Sequence, residues 1–395
     1  MSDSFLPFSR PMFDQAVIDE VVDCIQSGWI ATGPRVAQFT EDLKKYFDTP
    51  FVISLTSATA ALHLSLMAMG IQPGDEVITT PLTFVATANT IVLAGAKPVF
   101  VDIDPETLNI DLNRVEDAIT KKTRVLMPVH FAGLPVDCDQ LYDLAERYEL
   151  RVLEDAAQAM GATYKKKRIG SFGDTQVFSF HPTKSITTGE GGCITTRDEK
   201  LLTMVSCLSF HGIDREAFNR YAKNGTQEYD VVMPGYKFNM TDMQASLGIH
   251  QMKMLDQFIA RRTELAMRYQ DALSDWEEWV LPRQPTYPHE HAWHLYTPLL
   301  NIDTVKMDRA HFMAAMKEKQ IGVGLHYRPV HLYSYYRDTF QFQVGDFPNA
   351  EEVGERIVSL PLFPAMTDSD HDRVCDVMYH IFHSHQGVKE PQCAF

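Results

Sequence analysis

The sequence lacks a basic excess. Its 395 residues carry 36 Lys and Arg against 52 Asp and Glu, a formal charge of −16. Neutralising nucleic-acid phosphates needs clustered cations, so a general nucleic-acid binder is excluded. The one basic run, Lys165-Lys166-Lys167-Arg168, reads as a solvated loop. Paired cysteines are also missing. The six, Cys24, Cys138, Cys193, Cys207, Cys375 and Cys393, form no C-x-x-C and none lies beside a His at zinc-finger spacing. That fits reduced thiols and excludes a disulfide scaffold. No stretch approaches the roughly 20 apolar residues of a membrane helix. The start, MSDSFLPFSRPM, lacks the basic and apolar regions of a signal peptide. A soluble cytoplasmic protein with no membrane partner is expected. Two nucleotide fingerprints are absent as well: there is no G-x-x-x-x-G-K-[ST], and no G-x-G-x-x-G between a strand and a helix. Gly189-Glu190-Gly191-Gly192 has the wrong spacing and precedes a strand.

What is present is an ordinary globular composition, 45% hydrophobic and 22% charged, sufficient to bury a large core. The length suits two or three domains, or one large α/β core with an appendage. From residue 51, short apolar runs alternate with helical patterns. Phe51 to Leu55 reads as a buried strand, followed by a helix that Gly70 closes. EVITTP (76–81), PVFVDID (98–104), RVLMPVH (124–130) and RVLED (151–155) read as further strands. Helices are predicted between them at about 84–93, 112–119 and 140–148. Continuous apolar strands separated by helices predict a mostly parallel sheet covered on both faces. TQVFSF (175–180) and GCITTR (192–197) are expected to extend or edge that sheet. Residues 212–235 read as an excursion loop. Beyond residue 240 one long helix is predicted to about Leu273, then short strands in HAWHLYTPLLNI and IGVGLHYRPVH around a helix near 308–319. The last thirteen residues read as a frayed tail. The expected division is a large α/β domain over 1–250 and a smaller α+β domain over 251–395, with residues 1–30 packing on the small domain.

In open parallel sheets, ligands lie beyond the carboxyl ends of the strands. After the first strand comes Thr56-Ser57-Ala58-Thr59-Ala60, small and hydroxylic, opening a helix. Free N–H groups and the positive dipole end make this an anion cradle, although simple N-capping by Ser57 or Thr56 explains it equally well. RVLED ends in Glu154-Asp155, followed by Gln158. A carboxylate at the end of a buried strand needs a cation or a hydrogen-bond donor opposite it. That partner is either a structural ion pair or cap, or a protonated heteroaromatic nitrogen in the crevice. VFSF then runs into His181-Pro182-Thr183-Lys184. A lysine beyond such a strand, if not a surface residue, can lose its proton and condense with a carbonyl. Pyridoxal phosphate (PLP) offers a phosphate, a pyridine nitrogen and an aldehyde, one for each group. Phe84 is either core or a flat face for the ring.

With SATAALH, EDAAQAMGATY, FSFHPTKSITTGEGG and GYKFNMTDMQA, the chain resembles the DegT/StrS family of sugar-nucleotide aminotransferases. The likeness runs from SGWIATGP (27–34) to SLPLFPAMT (359–367). Within the family, FLPFSRP, HAWHLY and GVGLHYRPVH are most similar to the members that aminate a UDP-linked 4-keto pentose. The resemblance implies the fold-type I architecture, PLP as cofactor, L-glutamate as amino donor released as 2-oxoglutarate, and a nucleotide-linked keto sugar as acceptor. It also implies a homodimer with shared active sites. Lys184 matches the lysine that binds the cofactor and shuttles the proton. Asp155 matches the carboxylate on the pyridine nitrogen, Gln158 a ring contact and Phe84 the stacking aromatic. Ala58, Thr59 and Ser179 match phosphate contacts, and Asn239 an asparagine reaching the phosphate of the other subunit. His326, in the matched small-domain loop, is a candidate substrate contact. The pentose enzymes often carry His and Trp where this chain has Gln158 and Phe84. Both alternatives occur in branches acting on 4-keto-hexoses, so a 4-keto-6-deoxyhexose remains an alternative acceptor. A sugar dehydratase of the same scaffold would have His at position 184, and a non-catalytic regulator using the PLP fold as a binding module is disfavoured by the acidic balance and the absence of an appended helix-turn-helix region. On a strand, His289 and His291 would share one face and His294 the other, so no metal site is expected.

Overall fold

The computed structural model describes residues 4–213 and 229–383. Strands β1 (Phe51–Leu55), β2 (Glu76–Thr79), β3 (Lys97–Phe100), β4 (Thr123–Leu126) and β5 (Arg151–Asp155) alternate with helices as the apolar pattern predicts. A two-residue hairpin, β6 (Thr163–Tyr164) and β7 (Lys167–Arg168), precedes β8 (Thr175–Ser179) and β9 (Gly192–Thr196). The basic run is therefore a hairpin tip. Lys165 and Lys166 take positive φ there, the geometry that matches strand twist in two-residue turns. Lys165 pairs with Asp139, and Arg168 lies over the Tyr46 ring and reaches Asp256.

The seven strands run in the order β1-β9-β8-β5-β4-β2-β3. Strands β2, β3, β4, β5 and β8 are mutually parallel, and β9 is antiparallel to both its neighbours. Residues 175–180 and 192–197 thus extend the sheet beyond β5, as one of the two expected alternatives has it, but do not edge it. They lie inside the sheet and leave β1 at its margin. Every residue of β8 and β9 is buried, as an interior position requires.

Helix α1 (Gln15–Ser27) packs on the long helix that begins at Asp242, and helices α2 (Pro34–Phe47), α3 (Ala58–Ala68), α4 (Val85–Leu93), α5 (Leu112–Ala118), α6 (Cys138–Arg147) and α7 (Glu199–Ser209) cover the sheet. The first two carry start signals that the sequence reading passed over: Asp14 accepts from the Val17 N–H, and Pro34 occupies the first turn of α2. Helix α3 is buried all round from Ala60 to Leu66, which is why its sequence is apolar without an amphipathic stripe.

Helix α8 (Asp242–Ala272) opens with a full capping box between Thr241 and Gln244. Its 31 residues span roughly 46 Å at 1.5 Å per residue, so it serves two cores. Ala245, Ile249, Leu255 and Phe258 pack with Phe39, Phe47 and the sheet. Leu265, Ala266 and Tyr269 pack with Leu6, Trp279, Phe312 and the C-terminal segments. Those segments are β10 (Trp279–Val280), β11 (His289–Glu290), β12 (Leu299–Leu300), α9 (Ile302–Val305), α10 (Arg309–Glu318), α11 (Ser334–Phe340), α12 (Pro348–Arg356) and α13 (Asp368–His383).

The short strands expected in this region form only in part. HAWHLYTPLLNI contains only β12, and IGVGLHYRPVH makes single bridges, Leu6 to Ile321 and Gly324 to Ser359. The chain turns at Trp293, with φ 45°, and Pro298 and Pro329 remove backbone donors. Most of the expected loop at 212–235 and nearly all of the expected tail lie outside the described residues.

Candidate active site

The carboxyl edge of the sheet gathers the predicted residues from β1, β2, β5 and β8. Strand alternation separates the two acids that end β5. Glu154 turns into the core, where it accepts hydrogen bonds from Tyr142 Oη (2.6 Å) and His130 Nε2 (2.8 Å). The Val136 N–H donates to His130 Nδ1 at 3.1 Å, which fixes the ring proton on Nε2. Asp155 turns to the crevice. Its Oδ2 accepts from Thr87 Oγ1 (2.7 Å) and its Oδ1 from the Ala157 N–H (3.2 Å). Burial raises the Asp155 pKa, while Thr87, Ala157 and the Lys184 charge oppose that rise. Only one of the two acids is thus part of the site.

Lys184 follows the turn after β8, with its N–H bonded to the His181 carbonyl at 2.9 Å. Desolvation lowers its pKa to about 8; Asp155 resists and Arg262 assists. At pH 7 roughly one amine in ten is then free, against about one in three thousand for an ordinary lysine. That is the condition a nucleophilic amine needs.

The first turn of α3 faces the same crevice. Ser57 caps it by accepting from the Ala60 N–H at 3.1 Å. Capping takes the third N–H of the turn and leaves those of Ala58 and Thr59, which have no intrahelical acceptor. The capping and anion-cradle readings are therefore compatible. Gly192 approaches this turn so closely that a Cβ there would lie 2.4 Å from Ala58 N. Ser179 is buried, and its Oγ accepts from the His181 N–H at 3.3 Å.

Gln158 is fixed at both ends: its Oε1 accepts from the Ala132 N–H (2.7 Å) and its Nε2 donates to Tyr327 Oη (3.0 Å). Phe84 is 56% exposed, which removes it from the core. Its ring lies 6.1 Å from that of Tyr327, leaving a flat face open. Asn239 is not directed at Lys184 of its own chain; its side chain pairs with Thr32 and Lys237.

The second wall comes from the C-terminal segments. The Ala292 and Leu295 N–H groups bond to the carbonyls of Gly133 and Ala132, which carries residues 292–295 onto the sheet edge. Gly133 (φ +97°) permits this approach; a Cβ there would meet Gln158 O at 2.8 Å. His294 reaches the crevice in this way, its Nε2 3.2 Å from Lys184 Nζ. His326 lies between Phe8 and Tyr327, with Nδ1 2.8 Å from Ser359 Oγ. Burial and then the Lys184 charge lower its pKa to about 4, so it is neutral. The sequence reading missed Thr87, Tyr327, Arg262 and His294. Tyr327 adjoins the selected His326, and His294 was weighed only as a metal ligand. The strand behind that argument covers only 289–290. His289 bonds to Gln284, His291 accepts from the Trp293 N–H, and His294 meets Lys184.

These residues fit PLP. A pair of helix N–H groups suits the phosphate, the buried Asp155 carboxylate suits a pyridinium nitrogen, and a lysine amine of lowered pKa suits the aldehyde. Fold and site together define a PLP-dependent enzyme of fold type I.

The family model described as "DegT/DnrJ/EryC1/StrS aminotransferase family" matches residues 11–379, and the chain belongs to that family. It is 45% identical over 383 residues to the spore coat polysaccharide biosynthesis protein SpsC of Bacillus subtilis, covering 95% of this chain and 97% of that protein. It is 43% identical over 380 residues to the UDP-4-amino-4-deoxy-L-arabinose–oxoglutarate aminotransferase of Shewanella sediminis, with the same coverage. Among solved structures, Spr1654 of Streptococcus pneumoniae in its PMP form superposes with a TM-score of 0.89 at 33% identity, covering 96% of this chain and 99% of that one. The same protein is also solved in a PLP form. The chain is a sugar aminotransferase that uses PLP. Among the described residues no helix is long and apolar enough to cross a membrane.

Proposed function

We propose that this enzyme moves the amino group of L-glutamate to C4 of a nucleotide-linked 4-keto sugar, with a UDP-4-keto pentose favoured. The observation that carries the chemistry is the crevice amine of Lys184 facing the buried Asp155 carboxylate. Bound PLP supplies an aldehyde that condenses with amines and a pyridinium that withdraws electrons from the adjoining carbon. Lys184 takes the proton from the donor carbon and returns one to the acceptor carbon as general base and acid. Asp155, held by Thr87 and Ala157, keeps the ring nitrogen protonated. Phe84 would stack on the ring and Gln158 would contact it. The Ala58 and Thr59 N–H groups and Ser179 hold the phosphate, with Asn239 of the partner subunit completing the cradle in a homodimer. His326 orients the sugar from the small domain, which we take to begin at residue 251, within α8. A role in supplying amino sugars to a cell-surface polysaccharide agrees with the name of one relative, and the same proposal places the enzyme in the cytoplasm.

The preference for a pentose rests on the 43% identity to the arabinose enzyme. It is tested by offering UDP-4-keto pentose and nucleotide-linked 4-keto-6-deoxyhexose with glutamate and identifying the products by mass. Higher kcat/KM on the pentose supports the reading. Turnover of the hexose alone replaces it with the alternative acceptor.

A further inference from the structure

His294 has three properties that packing does not explain. Its Nε2 is 3.2 Å from Lys184 Nζ. Its Nδ1 is buried with no partner among the described residues, a costly state that an apolar side chain would avoid. Its backbone is clamped from below by Arg262, a fully buried guanidinium on α8. Arg262 Nη1 donates to the carbonyls of Trp293 (3.4 Å), His294 (3.2 Å) and Leu362 (2.8 Å), with no carboxylate in ion-pair range among the described residues. A buried, unpaired cation is costly. What this one does is fix the segment that carries His294.

The groups around the contact are the cations Lys184 and Arg262, the imidazoles of His326 and His181, and the Asp155 carboxylate. Burial and then the Lys184 and Arg262 charges hold His294 neutral. A lysine ammonium has only donors, so Nε2 accepts from it and the ring proton is on Nδ1. We propose that His294 is a positioning residue for Lys184: by receiving one amine proton at Nε2 it restricts where the remaining bonds and lone pair of that nitrogen point. This inference rests on the aminotransferase reading, in which Lys184 must take and return a proton at a defined carbon. An amine free to rotate about its last bond would spend most of its time misdirected, and the loss falls on the proton-transfer step.

The test compares three variants. His294→Gln places an acceptor near the Nε2 position; His294→Asn places one only near Nδ1; His294→Phe fills the space without one. In full-length protein freed of cofactor, the pH midpoint for chemical modification of Lys184, followed by mass spectrometry, is expected to fall by about half a unit in H294N and His294→Phe, because a neutral acceptor stabilises the ammonium over the free amine. H294Q is expected to keep the wild-type midpoint. In loaded enzyme, single-turnover reaction with glutamate is expected to slow at least tenfold in H294N and His294→Phe. The isotope effect from 2-deuterated glutamate should grow in those two, and H294Q should recover to within about threefold of wild type. Equal midpoints in all proteins, with the variants slowed alike and the isotope effect unchanged, would overturn the proposal and leave His294 a packing residue. Should wild-type protein itself ignore glutamate, the proposed donor falls, while the Lys184 midpoints still decide the His294 contact.

Discussion

The two walls of the crevice are built differently. On the sheet side, Asp155, Ser179 and the Ala58–Thr59 turn stand at the ends of paired strands and a capped helix, so regular hydrogen bonding fixes them. On the opposite side, His294, His326 and Tyr327 lie on irregular chain held by single bridges and side-chain contacts, such as Gly324 to Ser359 and Gln158 to Tyr327. In the proposed function the rigid wall meets the invariant part of the chemistry, the cofactor. The irregular wall can change with the sugar without disturbing the sheet, and loops on a fixed scaffold are where such variation is tolerated.

Substitutions on the rigid wall should have the larger effects. Lys184→Ala removes nucleophile and proton carrier together, and turnover should fall by about a thousandfold or more. A well-folded variant that still transaminates would remove the basis of the account. Asp155→Ala comes next: without a carboxylate to hold the ring nitrogen protonated, kcat should drop about a hundredfold or more, and the absorption of bound PLP should respond to pH near the ring nitrogen's own value. Wild-type kinetics in that variant would mean that Asp155 serves only as a structural acceptor for Thr87.

The lowered Lys184 pKa gives a third expectation. The free amine reacts, so the rate of PLP loading onto cofactor-free protein should rise about tenfold per pH unit below about 8 and level off above it. A rate still climbing at pH 10 would show that the crevice does not desolvate the amine. The smallest effect is expected on the irregular wall. His326→Gln should raise KM for the keto sugar several-fold while changing the glutamate half-reaction less than about threefold. Equal losses in both halves would tie His326 to the cofactor wall and erase the contrast.

The same contrast governed what could be read from the chain. Lys184 and Asp155 were legible because each follows a continuous apolar run, and the end of such a run is where an open sheet exposes side chains. The capped helix turn that faces the crevice was legible from small residues at a helix start. The family motifs added Gln158 and Phe84. The order of β8 and β9 within the sheet was not legible, since apolar composition shows that a strand is buried but not between which neighbours. His294 was hidden for another reason: its approach to Lys184 depends on Gly133 and Arg262, distant in sequence, and local period cannot report such a contact. The assumed strand through HAWHLY placed it on an arbitrary face.

The most direct test of the central claim is the absorption spectrum of the PLP-loaded protein before and after L-glutamate, with Lys184→Ala alongside. The account predicts a band near the visible that glutamate bleaches in the wild type, that a 4-keto sugar nucleotide restores, and that does not cycle in the variant. A band indifferent to glutamate, or one that cycles equally well without Lys184, would contradict it.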